Sequence, residues 1–351
     1  MSTLYGIFWF TLLTTLLCQI QKRESTRKLY YIITVFFLIV MCGFRDPFLY
    51  HDNDVYYEYF KGDYLANGEG TINFGYFFFN ILVSSLTSKF QVFCFIISFV
   101  VIWSYSRTIL KYSPYIGLSL LLYFLINYYP SYFLLRQYMA MPFVFLAYKY
   151  VIKREQKKYL ICVLLAFSMH SMAICVLPLY YLYGIKYSKR NFILIMAGTI
   201  GTCSLFVVIG KLLISFVPTY HLYLEDAEME PSWQRALMSI YLMMTYLYCF
   251  KNNCYHEGLN RLVFFTMLMC VIICVGGVNL VGAFRLKDFY SFAEFVGIPL
   301  IFYNCKFQRP LKKFNLYIMT SVYIVLLFIL FTRFVDGGNM SDGYSFFWNH
   351  K

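Results

Sequence analysis

The chain has 351 residues, 60% of them hydrophobic and only 13% charged, with a mean hydropathy of +0.61. A soluble domain of this size has no interior for so much apolar surface, so nearly the whole chain reads as membrane-embedded. The formal charge of +13 is not a nucleic-acid signature, because the basic residues gather between apolar runs in "QKRESTRK", "KREQKK", "KYSKR" and "KFQRPLKK", the positive-inside pattern of a polytopic protein.

The first segment, "MSTLYGIFWFTLLTTLLCQ", lacks a basic leader and a small-residue cleavage site, so Met1 to Gln19 is expected as a retained first helix. With the basic loops placed in the cytoplasm, helices near 3–20 and 29–44 leave an outward, periplasmic segment at 45–73. Residues 74–89 are apolar, but a full crossing there breaks the alternation, and they read as a re-entrant or interfacial piece. Spans follow at 90–107, 114–130 and 136–152. Residues 159–185 lie between two basic segments and read as a hairpin of two short helices broken near His170 or Pro178; one long tilted helix is the alternative. Further spans are expected at 191–216, 234–250, 262–283, 287–304 and 314–333, with an outward acidic loop at 217–233 and an outward tail at 334–351. The sum is an all-α polytopic transmembrane bundle of about 11 to 13 membrane segments, re-entrant pieces included, forming a single multi-pass domain over 1–351 with both termini outward.

Several residues stand out against this background. Arg45, Arg136 and Arg285 all fall at outward-facing helix ends, against the positive-inside bias. An arginine at the centre of a membrane helix costs roughly 2.5 to 3.5 kcal/mol, so such residues mark ends, cavities or binding sites. Three convergent guanidiniums suit a pyrophosphate, which they grip bidentately; singly, each also suits a snorkelling or salt-bridged arginine. The stretch "FRDPFLYHDNDVYYEYF" (44–60) interleaves Asp46, His51, Asp52 and Asp54 with tyrosines, a pattern for general-base or divalent-ion chemistry beside sugar rings or for a solvated interfacial loop. His170, in the apolar run "LLAFSMHSMAICVLP", is either a proton-transfer group or a packed, hydrogen-bonded histidine. The loop with Glu225, Asp226, Glu228 and Glu230 reads as solvated, with cation binding or repulsion of anionic lipid head groups as the alternatives, and the tail "DGGNMSDGYSFFWNHK" as a sugar-stacking or interfacial surface. The 11 cysteines sit largely in apolar runs with no metal or disulfide spacing, and no metal site is expected. Walker A, G-x-G-x-x-G and H-E-x-x-H motifs are absent, which leaves ATP-driven, dinucleotide and zincin chemistry unsupported.

Taken in order, these motifs resemble the EpsG and Wzy type of bacterial polysaccharide polymerase. An arginine closes the second helix, and then comes a G-x-D-T-x-x-Y-like segment, similar to Arg45 followed by "DNDVYY" with Asp54 and Tyr57. "NFGY" (73–76) resembles a short E-x-G-[YF] element; Arg136, Gln137 and Ala140 resemble R-Q-x-x-A; "FSMHSMA" resembles F-H-x-S-A; Arg285 and Tyr290 resemble a late Arg and Tyr pair. The pattern is departed from at Asp52, where the family favours Gly, at Val55, where it favours Thr, and at Asn73, near a frequent Glu.

The resemblance implies a GT-C-like polymerase in the bacterial inner membrane with its active site facing the periplasm, working on O-antigen, capsule or other surface polysaccharide. Its substrate is undecaprenyl-pyrophosphate-linked oligosaccharide within membrane lipid, a chain-length regulator protein is a possible partner, and nucleic acid is not. Arg45, Arg136, Gln137 and Arg285 then hold pyrophosphate, Tyr57 and Tyr290 contact substrate, and His170 or Asp54 deprotonates the acceptor hydroxyl. No cofactor is implied, and a divalent cation stays open. An O-antigen ligase-type glycosyltransferase, a lipid-linked oligosaccharide flippase and a membrane O-acetyltransferase are the rival readings.

Overall fold

The computed structural model describes residues 2–50, 52–62, 73–186, 188–215, 233–251, 258–279, 283–336 and 344–349. Among them the chain is helical, its one isolated β-bridge joining Arg45 to Phe346. The expected acidic loop at 217–233 lies almost wholly outside these residues. The helices group into two compact units: residues 1–145, 164–171 and 324–351 form one, and 146–163 with 172–323 form the other.

In the first unit, α1 (Ser2–Ile20) packs on α2 (Glu24–Gly43), which packs on α5 (Phe90–Tyr112). α2 shows why these helices belong in lipid. Tyr31, Val35, Leu38, Ile39 and Cys42 are buried on one side, whereas Leu29, Ile32 and Phe36 are exposed on the other, so both faces are apolar. α3 (Asp52–Lys61) and α4 (Phe74–Ser84) are short. At about 1.5 Å per residue α4 reaches about 16 Å, half of a hydrocarbon core, as expected of a piece that does not cross.

α6 (Ile116–Tyr123) runs into a π-helical turn at Phe124–Tyr128 and a 3-10 turn at Pro130–Tyr132, and only then does α7 (Leu135–Lys153) begin. Pro130 has no N–H to continue the helix, and the widened turn buries Asn127, whose amide donates to the Tyr138 hydroxyl at 3.1 Å. Arg136 therefore stands in the first turn of a new helix and not midway along an old one.

α8 (Gln156–Met169) stops at His170, a 3-10 stretch covers Ser171–Val176, and α9 (Pro178–Gly184) returns. The stems are joined side by side. The Tyr159 hydroxyl donates to the Val176 carbonyl at 2.6 Å, and Arg154 stacks on Tyr180 at 4.0 Å while donating to its carbonyl at 2.5 Å. The broken hairpin expected at 159–185 is what forms, since a chain that starts beside Arg154 and ends beside Arg154 has not crossed. Arg154 itself closes α7 in the left-handed region (φ 58°).

The second unit is built around α12 (Leu259–Gly276), with α10 (Lys189–Ser215) and α11 (Trp233–Phe250) packed against it. Its sequence is apolar on every face, which suits a helix enclosed by others rather than by lipid. It stops at Gly276, short of the expected 283. The single span expected at 287–304 is instead broken into α13 (Ala283–Asp288), α14 (Phe292–Phe295) and α15 (Gly297–Cys305). Buried charge gives the physical reason, because Lys287 and Glu294 pair across the break. The carbonyls that the break releases are also answered: the Tyr148 hydroxyl donates to Phe289 O at 2.5 Å and the Cys270 thiol to Tyr290 O at 3.6 Å. α16 (Pro310–Asp336) is the last helix, long and apolar enough to cross a membrane, as are α1, α2, α5 and α12.

Candidate functional site

The first unit gathers most of the motif residues around the start of α7. Leu134 caps the helix, its carbonyl accepting from Tyr138 N at 3.0 Å, so Arg136 lies in the turn whose N–H groups have no intrahelical acceptor. Arg136 is half-buried, while its neighbours Leu135 and Gln137 are enclosed. Its guanidinium lies 5.6 Å from the Tyr56 ring centroid and 5.8 Å from that of Tyr59, and it donates to the Tyr56 hydroxyl. Its Nε, buried, has no hydrogen-bond partner, and among the described residues no carboxylate is in ion-pair contact with it. A cation held on aromatic faces keeps most of its charge available for an anion.

Arg45 has the opposite surroundings. It is fully buried, donating to the Cys42 carbonyl, to Ser98 Oγ at 3.2 Å and to the Tyr132 carbonyl at 2.6 Å, with its guanidinium 4.8 Å from the Tyr132 ring. Asn53 of α3 donates to the same Tyr132 carbonyl at 3.1 Å and to Pro47 O at 2.9 Å. Two side chains thus grip the turn that precedes Arg136. The C-terminal segment braces the other side: Asp46 N donates to Ser345 O at 2.8 Å, Phe347 N to Phe44 O at 3.1 Å, and the Tyr344 hydroxyl to Met41 O at 2.7 Å. Burial pushes the Tyr50 and Tyr344 phenols up, the nearby Arg45 opposing it, so both are neutral ring and hydroxyl groups at physiological pH.

A third motif closes on this one. The Tyr76 ring, fully buried, sits 5.9 Å from that of Tyr56, and the neighbouring Gly75 packs against the end of α8. A Cβ built on Gly75 lies 2.3 Å from Ser168 Oγ and 3.0 Å from Ser168 O. The glycine is required by that approach, which places "NFGY" against "FSMH" two residues before His170. His170, half-buried, ends α8 with its N–H donating to Ala166 O at 3.0 Å.

Helix periodicity turns Asp54 and Tyr57 away from Arg136. Tyr56 and Tyr59 share one side of α3; Asp54 is exposed on the other, and Tyr57 packs edge-on against Phe48 and Phe90 with Lys61 over its ring at 4.1 Å. The tyrosines beside Arg136 were legible from the i, i+3 spacing of Asn53, Tyr56 and Tyr59, although the sequence reading singled out Tyr57. His51 lies outside the described residues.

Arg285 and Tyr290 belong to the second unit. The buried Tyr290 hydroxyl donates to Cys175 O at 2.5 Å, which ties α13 to the returning limb of the hairpin. Around Arg285 lies a group of charges that sequence reasoning missed. Lys287 Nζ pairs with Glu294 Oε2 at 2.5 Å, the Tyr323 hydroxyl donates to Glu294 Oε1 at 2.6 Å, and Asp288 lies within electrostatic reach of Lys287, Arg235 and Arg285. The signal was present, since Lys287, Asp288 and Glu294 fall within eight residues of a segment read as a span. Among the described residues no three His, Cys, Asp or Glu side chains are placed to hold a metal ion.

No curated protein matches the chain, and neither does any solved structure. The family model described as the EpsG family matches residues 28–348, a stretch that takes in every helix from α3 to α16 and both groups of arginines. The chain belongs to the EpsG family.

Proposed function

We propose that this protein polymerises lipid-linked oligosaccharide repeat units into surface polysaccharide at the periplasmic face of the bacterial inner membrane. A growing glycan on undecaprenyl pyrophosphate is transferred to a hydroxyl at the non-reducing end of the next repeat unit. The bond from the anomeric carbon to the phosphate oxygen breaks, a new glycosidic bond forms, and undecaprenyl pyrophosphate leaves with the electron pair. Family membership supports polysaccharide polymerisation, and one observation carries the chemistry: Arg136, half-buried at a helix start and held by tyrosine faces without a carboxylate among the described residues.

Pyrophosphate departure builds negative charge, and a preorganised guanidinium in a site of low dielectric stabilises that charge as it forms. The N–H groups of the first turn of α7, which have no acceptor within the helix, add to the same field. Arg45 serves this reaction by shaping the turn before Arg136, since its donors are already engaged with protein oxygens. Gln137, enclosed beside Arg136, supports the helix start. His170 at the hairpin tip takes the acceptor proton, favoured over Asp54 because its neighbour Ser168 touches the Gly75 and Tyr76 element that adjoins Tyr56 and Arg136. Tyr57 and Tyr290 each pack within their own unit, Tyr57 against Phe48 and Phe90 and Tyr290 through its hydrogen bond to Cys175 O.

The test is genetic. Deleting the gene in its native host and complementing with the wild type is expected to collapse and then restore a polysaccharide ladder on a gel. Arg136→Ala at matched protein level should leave a single-repeat band. A ladder that persists without the protein contradicts the polymerase reading and favours decoration or transport.

A further inference from the structure

The aromatic tail has no part in the chemistry at Arg136, yet the first unit holds it in one place. Phe346 forms the β-bridge with Arg45, and three hydrogen bonds flank it: Asp46 N to Ser345 O at 2.8 Å, Phe347 N to Phe44 O at 3.1 Å, and the Tyr344 hydroxyl to Met41 O at 2.7 Å. Rings assemble on this frame. Trp348 lies nearly parallel to Phe346, with centroids 4.4 Å apart and planes 7° from coplanar, and it meets Phe347 edge-on at 5.1 Å. Phe44 lies 6.2 Å from Trp348 and is itself seated 5.2 Å from Phe95 of α5.

Phe346 covers one face of the Trp348 indole, but Trp348 is still 58% exposed, so its opposite face is flat and open. A pyranose ring has a face made of C–H groups that packs on such a surface, drawn to the negative face of the indole, while its hydroxyls stay in water. Because the backbone frame already fixes the ring, little freedom is lost when a sugar settles on it. A tryptophan that anchors a protein at the membrane interface acts by immersion among head groups and needs no parallel ring behind it. Position points the same way: Arg45, across the bridge from Phe346, donates to Tyr132 O in the turn that precedes Arg136.

We propose that Trp348, backed by Phe346 and flanked by Phe44 and Phe347, is a saccharide subsite that stacks on one pyranose ring of the glycan. An open ring face reads shape and not the identity of each hydroxyl, so the class of ligand is a pyranose with one face of C–H groups only. Trp348 brings no acid, base or charge to the reaction, and its contribution is to capture the repeat unit. The inference rests on the Proposed function for which glycan arrives, whereas the platform itself is given by the rings and their frame.

The experiment uses the full chain in lipid nanodiscs, and the probe is soluble oligosaccharide released from the host's surface polysaccharide by partial acid hydrolysis. Binding is measured by calorimetry on the wild type, Trp348→Ala and Trp348→Phe. Loss of the ring should weaken binding about tenfold, while phenylalanine, which keeps a flat face, should stay within about threefold of the wild type. With a lipid-linked repeat unit as substrate, Trp348→Ala should raise KM about tenfold and leave kcat near the wild-type value. Among the four tryptophans, the fluorescence of Trp348 is the part that Trp348→Phe removes, and oligosaccharide should change it. Quenching of that part by brominated lipid, with equal oligosaccharide affinity in the wild type and Trp348→Ala, assigns the rings to the membrane interface and overturns the subsite. A fall in kcat and melting temperature at unchanged affinity marks a structural tail and overturns it too. Should Trp348→Ala not fold, Trp348 fluorescence that oligosaccharide leaves unchanged in the wild type overturns the subsite by itself. Because sugar binding is read directly, its failure is distinct from a ladder that persists when the gene is deleted.

Discussion

At the residue scale, two arginines in one unit have different surroundings and should fail differently. Arg136 is half-buried with charge to spare, so Arg136→Ala should leave the melting temperature near the wild-type value and lower the polymerisation rate by about 10²-fold, the usual consequence of removing one preorganised charge at a leaving group. Arg136→Lys keeps the charge without the fork and should be milder. Arg45→Met removes the donor to Tyr132 O, Ser98 Oγ and the Cys42 carbonyl in a fully buried place. Each buried acceptor left without a partner costs about 1 to 3 kcal/mol, so the melting temperature should drop by several degrees at the least, and activity should fall with it. Thermal denaturation in detergent separates the two. The sequence made both arginines visible as breaches of the positive-inside bias, but it had no means of telling an engaged guanidinium from an open one. That difference depends on which carbonyls a turn presents, and the turn at 130–134 arises from a π-helical stretch that no periodicity announces.

At the scale of elements, the approach of α4 to the end of α8 is set by one missing side chain. Gly75→Ala places a methyl 2.3 Å from Ser168 Oγ and should reduce activity sharply, while the double variant Gly75→Ala with Ser168→Gly removes the opposing side chain and should recover part of it. Recovery in the double variant, measured as polymer formed at equal protein level, ties the effect to this contact. The broken hairpin was legible because basic segments on both flanks forbid a crossing, and the short α4 was legible from the same alternation. The break at 289–296 was not read, although three charges stood in the segment. The pair across it should be testable by Glu294→Gln, which removes the carboxylate partner of the half-buried Lys287 cation and should destabilise the protein by about 1 to 3 kcal/mol. Replacing Lys287 with Met in the same chain should return much of that loss, because a neutral pair no longer carries an isolated charge.

At the scale of the whole molecule, composition alone settled the class. A chain 60% hydrophobic, apolar on both faces of helices such as α2, is a polytopic helical protein, and the lengths of α1, α2, α5, α12 and α16 agree with it. The division into two compact units was not legible, since it depends on which helices exchange contacts across long stretches of sequence and both units share one composition. It bears on function because the motif residues divide with it: Arg45, Asp54, Tyr57, Arg136, Gln137 and His170 lie in the first unit, Arg285 and Tyr290 in the second. The most direct test of the central claim is reconstitution. Purified protein in liposomes, given a lipid-linked repeat unit, should convert it to a ladder of longer glycans and release one polyprenyl pyrophosphate for each bond made, and Arg136→Ala should do both about 10²-fold more slowly while melting normally. A repeat unit that stays single with the wild type, or a ladder formed equally by Arg136→Ala, contradicts it.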